Sequence, residues 1–161
     1  MAKIAPCLWF DGQAEEAANL YTSLFPDSRI DKVTRSPADN PSGPKGAVLT
    51  VDFTLAGQPF IALNGGPEFP FTEAVSFTID CKDQAEVDQY WDALIDDGGS
   101  PSVCGWLKDR FGLSWQVIPR QLPEMLGSSD REAAGRAMTA MLKMTRIDVQ
   151  ALRDAYEGVP A

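Results

Sequence analysis

Strict alternation of apolar and polar residues, which is typical of half-buried strands, occurs in two separate regions of this chain. In residues 47–57 one face carries Leu49, Val51, Phe53 and Leu55, and the other carries Thr50, Asp52 and Thr54. In residues 74–81 one face carries Val75, Phe77, Ile79 and Cys81, and the other carries Ser76, Thr78 and Asp80. Both regions therefore predict strands with one apolar face for helices to cover and one polar face.

A predicted helix follows the first strand of each region. Residues 3–10 predict a strand and residues 13–25 a helix, whose helically spaced residues are Ala14, Ala17, Ala18, Tyr21, Leu24 and Phe25. The strand at 74–81 precedes a predicted helix over 82–99, whose apolar stripe is Val87, Tyr90, Trp91 and Leu94. Further strands follow the helix in both regions. In the first region they begin with a predicted edge strand at 28–35. The order strand, helix, strands thus occurs twice, at a spacing of about seventy residues and with almost no identity between the copies.

Two stretches lie outside the alternating pattern. Residues 36–45 are rich in Pro, Gly, Ser and Asn and predict a loop, either a lid or a plain connection. The tail predicts helices, with N-cap candidates at Ser128, Ser129 and Asp130 and a cap for the last helix at Asp148. The tail also contains an apolar stripe, which we interpret as packing rather than as a binding groove: Met138, Met141, Leu142 and Met144.

Residues 104–119 contain two strand-like runs with a turn between them. Asp109-Arg110-Phe111-Gly112 is interpreted as the tight turn that joins the last two strands. In the second run, Gln116 stands alone among apolar neighbours. Alternation places Trp115 on the face opposite Gln116, so we expect Trp115 to pack in the core.

Composition and charge exclude several classes of partner. The chain has 161 residues, enough for one domain or for two small modules that share a core. A formal net charge of −9 argues against nucleic-acid binding, which depends on clustered Lys and Arg. No apolar run approaches the ~20 residues of a membrane span, and the N-terminus lacks the pattern of a signal peptide. We therefore expect a cytoplasmic protein that binds neither nucleic acid nor membrane.

The reactive side chains limit the chemistry further. Three cysteines, Cys7, Cys81 and Cys104, lie in strand-like segments and are predicted to be buried thiols in a reducing compartment. Cys104 has an alternative interpretation as a reactive thiol, which would need Lys108 or Arg110 for its activation. The chain contains no histidine, which excludes Ser-His-Asp and Cys-His nucleophilic sites and His-based metal sites. Catalysis would have to use carboxylates, Lys, Tyr, Cys or ordered water, and the sequence assigns no catalytic residue.

Five segments together resemble the vicinal oxygen chelate superfamily, which includes glyoxalase I, bleomycin-resistance proteins and extradiol dioxygenases. The segments are residues 8–28, 62–67, 74–81, 104–119 and 140–152. More narrowly, they resemble the PhnB-like branch, whose members often bear the description 3-demethylubiquinone-9 3-methyltransferase. No glycine-rich loop follows the first predicted strand, which argues against a nucleotide-type cofactor site.

The resemblance implies an α+β fold of paired βαβββ modules, which form cupped mixed sheets with helices on the convex side. A single glyoxalase-like domain is expected over 1–161, with a first module at 1–70, a second module at 71–120 and a C-terminal helical extension at 121–161. The concave and polar sheet face would hold a small molecule. A homodimer is expected as well, because members of the superfamily commonly pair modules across a two-fold axis.

The resemblance also implies where metal ligands would lie. In metal-using relatives the ligands, typically His and Glu, project from the strands, and by position they would fall near Ala5 or Cys7, within 62–64, near Ser76 and at Gln116. Only Gln116 has an obvious metal-capable oxygen. A neutral amide among Ala, Cys, Asn and Ser residues does not make a site for a divalent transition ion. The sequence therefore predicts no metal and no cofactor. The Gln116 amide is expected to form hydrogen bonds with a ligand or with a buried backbone group.

The predicted ligand-binding residues are Trp9, Asn64, Ser76, Trp106 and Gln116. Plain structural alternatives exist for most of them: core packing for the two tryptophans, turn formation for Asn64 and a structural hydrogen bond for Gln116. The predicted function is metal-free binding of a small organic molecule in the concave sheet pocket. Two alternatives stay open: an enzyme of lyase or isomerase type, and a protein like 3-demethylubiquinone 3-methyltransferase, as the description of the branch suggests.

Overall fold

The computed structural model describes residues 2–160. The chain divides into an N-terminal unit, Met1–Phe71, and a C-terminal unit, Thr72–Ala161. The elements of the N-terminal unit are β1 (Cys7–Phe10), α1 (Ala14–Leu24), β2 (Arg29–Arg35), β3 (Val48–Leu55) and β4 (Gln58–Asn64). Its sheet has the order β1-β4-β3-β2, so β2 is an edge strand as predicted. Strands β1 and β4 are parallel, and the other neighbours are antiparallel.

One face of this sheet and helix α1 form the core of the N-terminal unit. Alternation buries the apolar side chains Leu8, Phe10, Val51, Phe53, Leu55, Phe60 and Ala62. Helix α1 packs on β3 and β4 and buries Ala14, Ala17, Ala18 and Tyr21. Because three of these four residues are alanines, the helix lies close to the strands. The other face of the sheet keeps partly exposed side chains and is called the N-terminal open face below.

The C-terminal unit begins with the same element order. Its elements are β5 (Ser76–Cys81), α2 (Gln84–Ile95), β6 (Ser100–Pro101), β7 (Trp106–Lys108), β8 (Ser114–Pro119), α3 (Gln121–Leu126), α4 (Arg131–Met141) and α5 (Val149–Glu157). The sheet has the order β5-β8-β7-β6, in which β5 and β8 are parallel and the other neighbours are antiparallel. This order repeats that of the first sheet strand for strand. The predicted α+β fold with two βαβββ arrangements and C-terminal helices is therefore confirmed.

Helix α2 covers one face of the second sheet. Its predicted stripe of Val87, Tyr90, Trp91 and Leu94 is buried, and the helix packs on β5, β7 and β8. The helix begins at an Asp83 N-cap, whose side chain accepts a hydrogen bond from the Glu86 backbone N–H. The opposite face of this sheet is called the C-terminal open face below.

The C-terminal helices share a small core with strand β8, and its composition corrects part of the predicted apolar stripe. Leu122, Ile147 and Leu152 are buried, and they are packed by Ile118, Met125, Leu126, Met141 and Met144. Met138 and Leu142 are instead 48% and 56% exposed, so the prediction that they pack was wrong. Helix α4 turns a different side inward, on which Ala133, Ala134 and Ala137 are buried where α4 packs against α5. Small side chains allow this close approach, which leaves the longer apolar side chains outside.

Two further predictions about the chain require correction or detail. Cys81 is buried, but Cys104 is half-buried in a turn and Cys7 is exposed, so the three cysteines are not all buried strand thiols. The backbone N–H groups of Asn40 and Gly43 each donate a hydrogen bond to the other residue's carbonyl, which holds the predicted loop at 36–45 together.

Asp130 and Asp148 cap helices α4 and α5 as predicted. None of the helices within 2–160 is long and apolar enough to cross a membrane.

Candidate functional site

The C-terminal open face carries two rows of side chains that run across three neighbouring strands. Strand register places Ser76, Ser114 and Lys108 in the first row and Thr78, Gln116 and Trp106 in the second. Side chains of residues paired across strands project from the same face of a sheet. The two rows therefore form one continuous patch, which we call the polar rows.

Three of the predicted ligand-binding residues lie within the polar rows. The Gln116 Nε2 donates a hydrogen bond of 2.9 Å to the Ser76 Oγ, across the parallel pair β5–β8. Trp106 of strand β7 is half-buried, and it is the direct antiparallel partner of Gln116 of β8. An indole, an amide and a hydroxyl are thus adjacent on one side of the sheet. This combination offers an apolar wall and groups that both donate and accept hydrogen bonds.

The turn between β7 and β8 fixes the register of these rows. Asp109 is 2% exposed, and its Oδ1 accepts hydrogen bonds from the backbone N–H groups of Phe111 and Leu113. Its Oδ2 accepts a hydrogen bond of 2.9 Å from the Trp115 Nε1. Trp115 is 3% exposed on the face opposite Gln116, as predicted from alternation. One carboxylate therefore holds both the predicted turn and the indole that anchors β8 in the core.

The sequence did not single out Ser114, and it named Lys108 only as a possible activator of Cys104. Alternation along β8 puts Ser114 on the same face as Gln116, and alternation along β7 puts Lys108 on the same face as Trp106. Ser114 is 1% exposed, and its Oγ has no hydrogen-bond partner among residues 2–160. The Lys108 ammonium forms an ion pair with the Glu73 carboxylate, and both groups are partly exposed. The hydrogen bond from Lys108 is the main cause that lowers the pKa of Glu73.

The C-terminal helices border the polar rows at one end. Backbone N–H groups of Cys104 and Gly105 donate hydrogen bonds of 2.8 Å to the carbonyl oxygens of Met144 and Thr145. Gly105 has a positive φ of 85°, and a Cβ added there would lie 3.0 Å from side-chain atoms of Ile118 and Ile147. The strand that starts at Trp106 is therefore positioned directly by the segment between α4 and α5.

The N-terminal open face is more apolar. Register brings together Cys7 and Ile61, and Trp9 and Leu63, from the parallel strands β1 and β4. Trp9 is half-buried, its Nε1 donates a hydrogen bond of 2.8 Å to the Gly66 carbonyl, and its ring meets Phe69 edge-on with centroids 5.0 Å apart. Trp9 thus lies on the open face, where the loop that follows β4 holds it.

Asn64 does not lie on the open face. It is 8% exposed, its Oδ1 accepts a hydrogen bond from the Ala14 backbone N–H, and its Nδ2 donates one to the Val48 carbonyl. Gln13 is the N-cap residue of helix α1, but its side chain forms no capping hydrogen bond with any described residue. Asn64 of strand β4 supplies the cap instead. The structure thus gives the Asn64 amide two structural hydrogen bonds, and its role in ligand binding stays a prediction.

A cleft of about 510 Å³ opens on the N-terminal unit beside the edge strand. Its lining includes Lys3, Ala5, Arg29, Asp52, Thr54 and Ile61. Arg29 and Thr54 both donate hydrogen bonds to the Asp31 carboxylate, at 2.8 and 2.6 Å. The cleft therefore combines an apolar floor with charges of both signs. Its residues are distant along the chain, so no local sequence pattern indicates it.

The residues at the expected metal-ligand positions do not fit a divalent transition ion. The Asn64 amide is used by backbone groups, and the Gln116 amide is bonded to Ser76. Cys7 is the one ionisable side chain in the set. The residue as a whole is exposed, but its thiol is partly desolvated, which raises the pKa of the thiol and disfavours the thiolate that a metal would need. Across residues 2–160, no group of three or more Cys, Asp or Glu side chains is arranged to hold a metal ion. The open faces therefore offer hydroxyl, amide and indole groups in place of a set of ionic ligands.

The fold and these open faces define the chain as a glyoxalase-like α+β protein. The family model described as 3-demethylubiquinone-9 3-methyltransferase matches residues 2–118. The chain therefore belongs to this family, whose description is shared by the PhnB protein from Bacillus cereus. Helices α3, α4 and α5 lie beyond the last matched residue.

Several solved structures are similar to this chain. The PhnB protein from Bacillus cereus is 36% identical, with a TM-score of 0.64 over 71% of this chain and 97% of that chain. Protein PA1353 from Pseudomonas aeruginosa has the same fold at 21% identity, with a TM-score of 0.58 over 71% of this chain and 95% of that chain. A glyoxylase/bleomycin resistance protein/dioxygenase domain from Frankia sp. EAN1pec is 12% identical, with a TM-score of 0.44 over 71% and 89% of the two chains. No curated protein matches the sequence.

Proposed function

We propose that this protein binds a small organic molecule on the C-terminal open face without the help of a divalent metal. The observation that carries the proposal is the adjacency of Ser76, Trp106 and Gln116 on three neighbouring strands. Small-molecule sites generally combine an aromatic or apolar wall with a few fixed polar groups. The polar rows supply the wall through Trp106 and the polar groups through the amide and hydroxyl side chains.

The N-terminal cleft is a second surface suited to a small ligand, because its volume of about 510 Å³ lies within the range of ligand pockets. Variants can separate the two surfaces. Trp106→Ala removes the proposed wall on the C-terminal open face, whereas Ile61→Asp places a charge in the floor of the cleft. Loss of binding in the first variant alone supports the proposal, and loss in the second alone moves the site to the cleft.

The primary test is a fluorescence titration of the full chain with a panel of aromatic and quinone-like compounds. Trp106 should report binding by a change in its emission, and the change should be missing in Trp106→Phe but present in Trp9→Phe. A thermal-shift series with divalent ions belongs to the same experiment. A stoichiometric ion that raises the unfolding temperature would contradict the metal-free proposal.

The family description suggests a methyl transfer, and this alternative has its own test. Such an enzyme needs a methyl donor such as S-adenosylmethionine, and the first strand is not followed by a glycine-rich loop for a nucleotide-type cofactor. We expect no binding of S-adenosylmethionine in calorimetry. Tight binding, with transfer of a methyl group to a demethylated quinol, would establish the alternative in place of simple binding. Turnover of any bound compound without a methyl donor would instead indicate a lyase or isomerase.

We further propose that the protein is a cytoplasmic homodimer. Each four-stranded sheet has two outer strands, whose free backbone groups favour pairing with another chain. Exposed apolar residues near these strands, including Val33 at 40% and Val75 at 63%, would gain from burial in a dimer. Native mass spectrometry measures the oligomeric state directly, and a monomer at micromolar concentration would contradict the dimer.

A further inference from the structure

The first of the polar rows contains a buried hydroxyl with no partner. Ser114 is 1% exposed, and no residue in the described range accepts or donates a hydrogen bond at its Oγ. Buried hydroxyl groups are nearly always hydrogen-bonded, because leaving one unpaired sacrifices its hydration without replacement. The two cross-strand neighbours of Ser114 are Ser76 and Lys108. The residue that carries the unpaired hydroxyl therefore lies between a serine and a lysine on the same face.

This row is rich in hydrogen-bond donors. The Ser76 Oγ accepts a hydrogen bond from the Gln116 Nε2, which leaves its hydroxyl hydrogen to donate. Lys108 contributes three N–H donors and a positive charge, which are shared with the exposed Glu73 carboxylate. The Ser114 hydroxyl has both its hydrogen and its lone pairs available. An anion that only accepts hydrogen bonds, such as a carboxylate, complements such a set.

Other charges near the row leave room for an anion. Asp80, on the same face of β5, is paired with Arg120 at 3.2 Å. Glu73 is the carboxylate that competes for Lys108, and it lies on the exposed segment before β5 rather than in the sheet. An incoming carboxylate can therefore replace Glu73 at the ammonium group.

The second row fixes the other end of the ligand. Trp106 lies two positions before Lys108 on β7, and Gln116 lies two positions after Ser114 on the antiparallel strand β8, so the second row is displaced from the first by about 6.6 Å. An aromatic ring that contacts Trp106 and a carboxylate that reaches Ser114 therefore need a short spacer between them. A two-carbon chain places the carboxylate oxygens at a similar distance from the centre of the ring.

We propose that the polar rows bind an aromatic carboxylic acid, with the carboxylate at Ser76, Ser114 and Lys108 and the ring against Trp106. This inference rests on the proposed function and adds the chemical class of the ligand. Displacement of Glu73 from Lys108 accompanies binding. Glu73 therefore weakens the affinity for the acid, and its removal strengthens it.

The test compares 3-phenylpropanoate with its neutral analogue 3-phenylpropanamide, using calorimetry and tryptophan fluorescence on the full chain. The acid should bind at least about tenfold more tightly, because hydrogen bonds to a charged group are the stronger ones. Ser114→Ala and Lys108→Met should each weaken binding of the acid about tenfold and leave the amide within about twofold. Glu73→Gln should tighten binding of the acid several-fold and leave the amide unchanged. Lys82→Met removes an exposed lysine elsewhere on the unit and should change neither affinity.

Each outcome of this test bears on the inference. Equal affinities for acid and amide, both lost in Trp106→Ala, would overturn the carboxylate site and leave the proposed function intact. Binding of neither probe at millimolar concentration would overturn this inference, while the wider compound panel would still test the proposed function. A stabilised Ser114→Ala variant with unchanged affinity for the acid would show that the hydroxyl serves no ligand. Circular dichroism and a urea midpoint for every variant separate a lost contact from a lost fold.

Discussion

Single residues show how far alternation alone can assign roles in this chain. The pattern along β8 placed Trp115 in the core and Gln116 on the polar face, and both lie there. The same pattern could not show that Asn64 caps a helix, because its partner Ala14 is 50 positions away. Asn64 stands beside Gly65-Gly66, where turn formation or ligand binding is the natural interpretation. Long-range capping leaves no local signal in the sequence.

Replacement of Asn64 should destabilise the N-terminal unit. Asn64→Ala leaves the Ala14 N–H and the Val48 carbonyl without their buried partner, and we expect a loss of about 1–3 kcal/mol in the free energy of unfolding. Asn19→Ala, on the exposed side of α1, is the matched control and should change stability by less than about 0.5 kcal/mol. Urea denaturation measures both. Equal stability of Asn64→Ala and the wild type would show that the cap contributes little.

The pKa of Cys81 predicts a fall in stability at alkaline pH. Burial, with smaller contributions from Glu86, Asp80 and Asp83, raises the pKa of this thiol from its usual 9.0 to about 12. The native thiol therefore keeps its proton at pH values where the unfolded chain has lost it. The contribution of Cys81 to stability is complete below about pH 9 and is lost as the pH rises towards about 12.

The variant Cys81→Ala has no thiol and should lose this part of the alkaline slope. Urea unfolding of both proteins at about pH 8 and about pH 11 gives the difference, because the lysines and the other titrating groups are common to both. The wild type should lose more stability than the variant between these values. Parallel losses in the two proteins would indicate that the native Cys81 thiol ionises as readily as the unfolded one.

Among the elements, short pieces without a periodic pattern were the ones missed. Helix α3 has six residues and contains Pro123, so its sequence shows neither a long apolar stripe nor an ordinary helix composition. Pro123 is tolerated because it lies in the first turn, where the backbone N–H has no partner within the helix. Helix α4 was predicted, but the face that it buries was not. Three alanines form that face, and small residues give a weak hydrophobic signal.

The hairpin β7–β8 should depend on one carboxylate. Asp109→Ala leaves the N–H groups of Phe111, Leu113 and Trp115 without their acceptor, so we expect a loss of more than about 2 kcal/mol in the free energy of unfolding. Asp109→Asn keeps one oxygen for the two backbone groups but can present an N–H to the indole. Its stability should be intermediate.

Near-ultraviolet circular dichroism offers a second measurement for these variants. Because Trp115 is fixed by its hydrogen bond to Asp109, its signal should weaken in Asp109→Ala and in Asp109→Asn. The polar rows depend on this hairpin, since the turn sets which residue of β7 faces which residue of β8. An unchanged tryptophan signal together with wild-type stability would show that Asp109 is not needed to hold the polar rows in register.

At the scale of the whole chain, the repeated element order predicted both sheets, although the two copies share almost no identity. Each copy keeps the alternation that buries one sheet face and the helix that covers it, and these are the features on which the sheet order depends. Which residues of the open faces meet depends on register and on bulges, such as the one between Ile30 and Lys32. The site could therefore be predicted only as a face, not as a set of contacts.

The helical extension beyond residue 118, outside the family match, is joined to the second sheet by a dedicated apolar contact. Ile147 is fully buried against Leu122 and Leu152, and Ile118 of β8 packs on the same cluster. Nearby, Gln84 of α2 donates a hydrogen bond to the Ile147 carbonyl and accepts one from the Val149 N–H. The extension is therefore held to the second sheet and to helix α2 by an apolar cluster and by the two hydrogen bonds of Gln84. These contacts stabilise β8, the strand that carries Gln116.

Truncation of Ile147 tests whether this extension is part of the stable fold. Ile147→Ala removes three buried carbons, and we expect a loss of about 2–5 kcal/mol in the free energy of unfolding. Met138→Ala, a truncation at an exposed position of α4, should change stability by less than about 0.5 kcal/mol. If the extension and the sheet unfold together, urea denaturation should show one transition by tryptophan fluorescence and by far-ultraviolet circular dichroism in every variant. An earlier loss of helix signal in Ile147→Ala, with an unchanged fluorescence midpoint, would mean that the extension unfolds separately and does not support the polar rows.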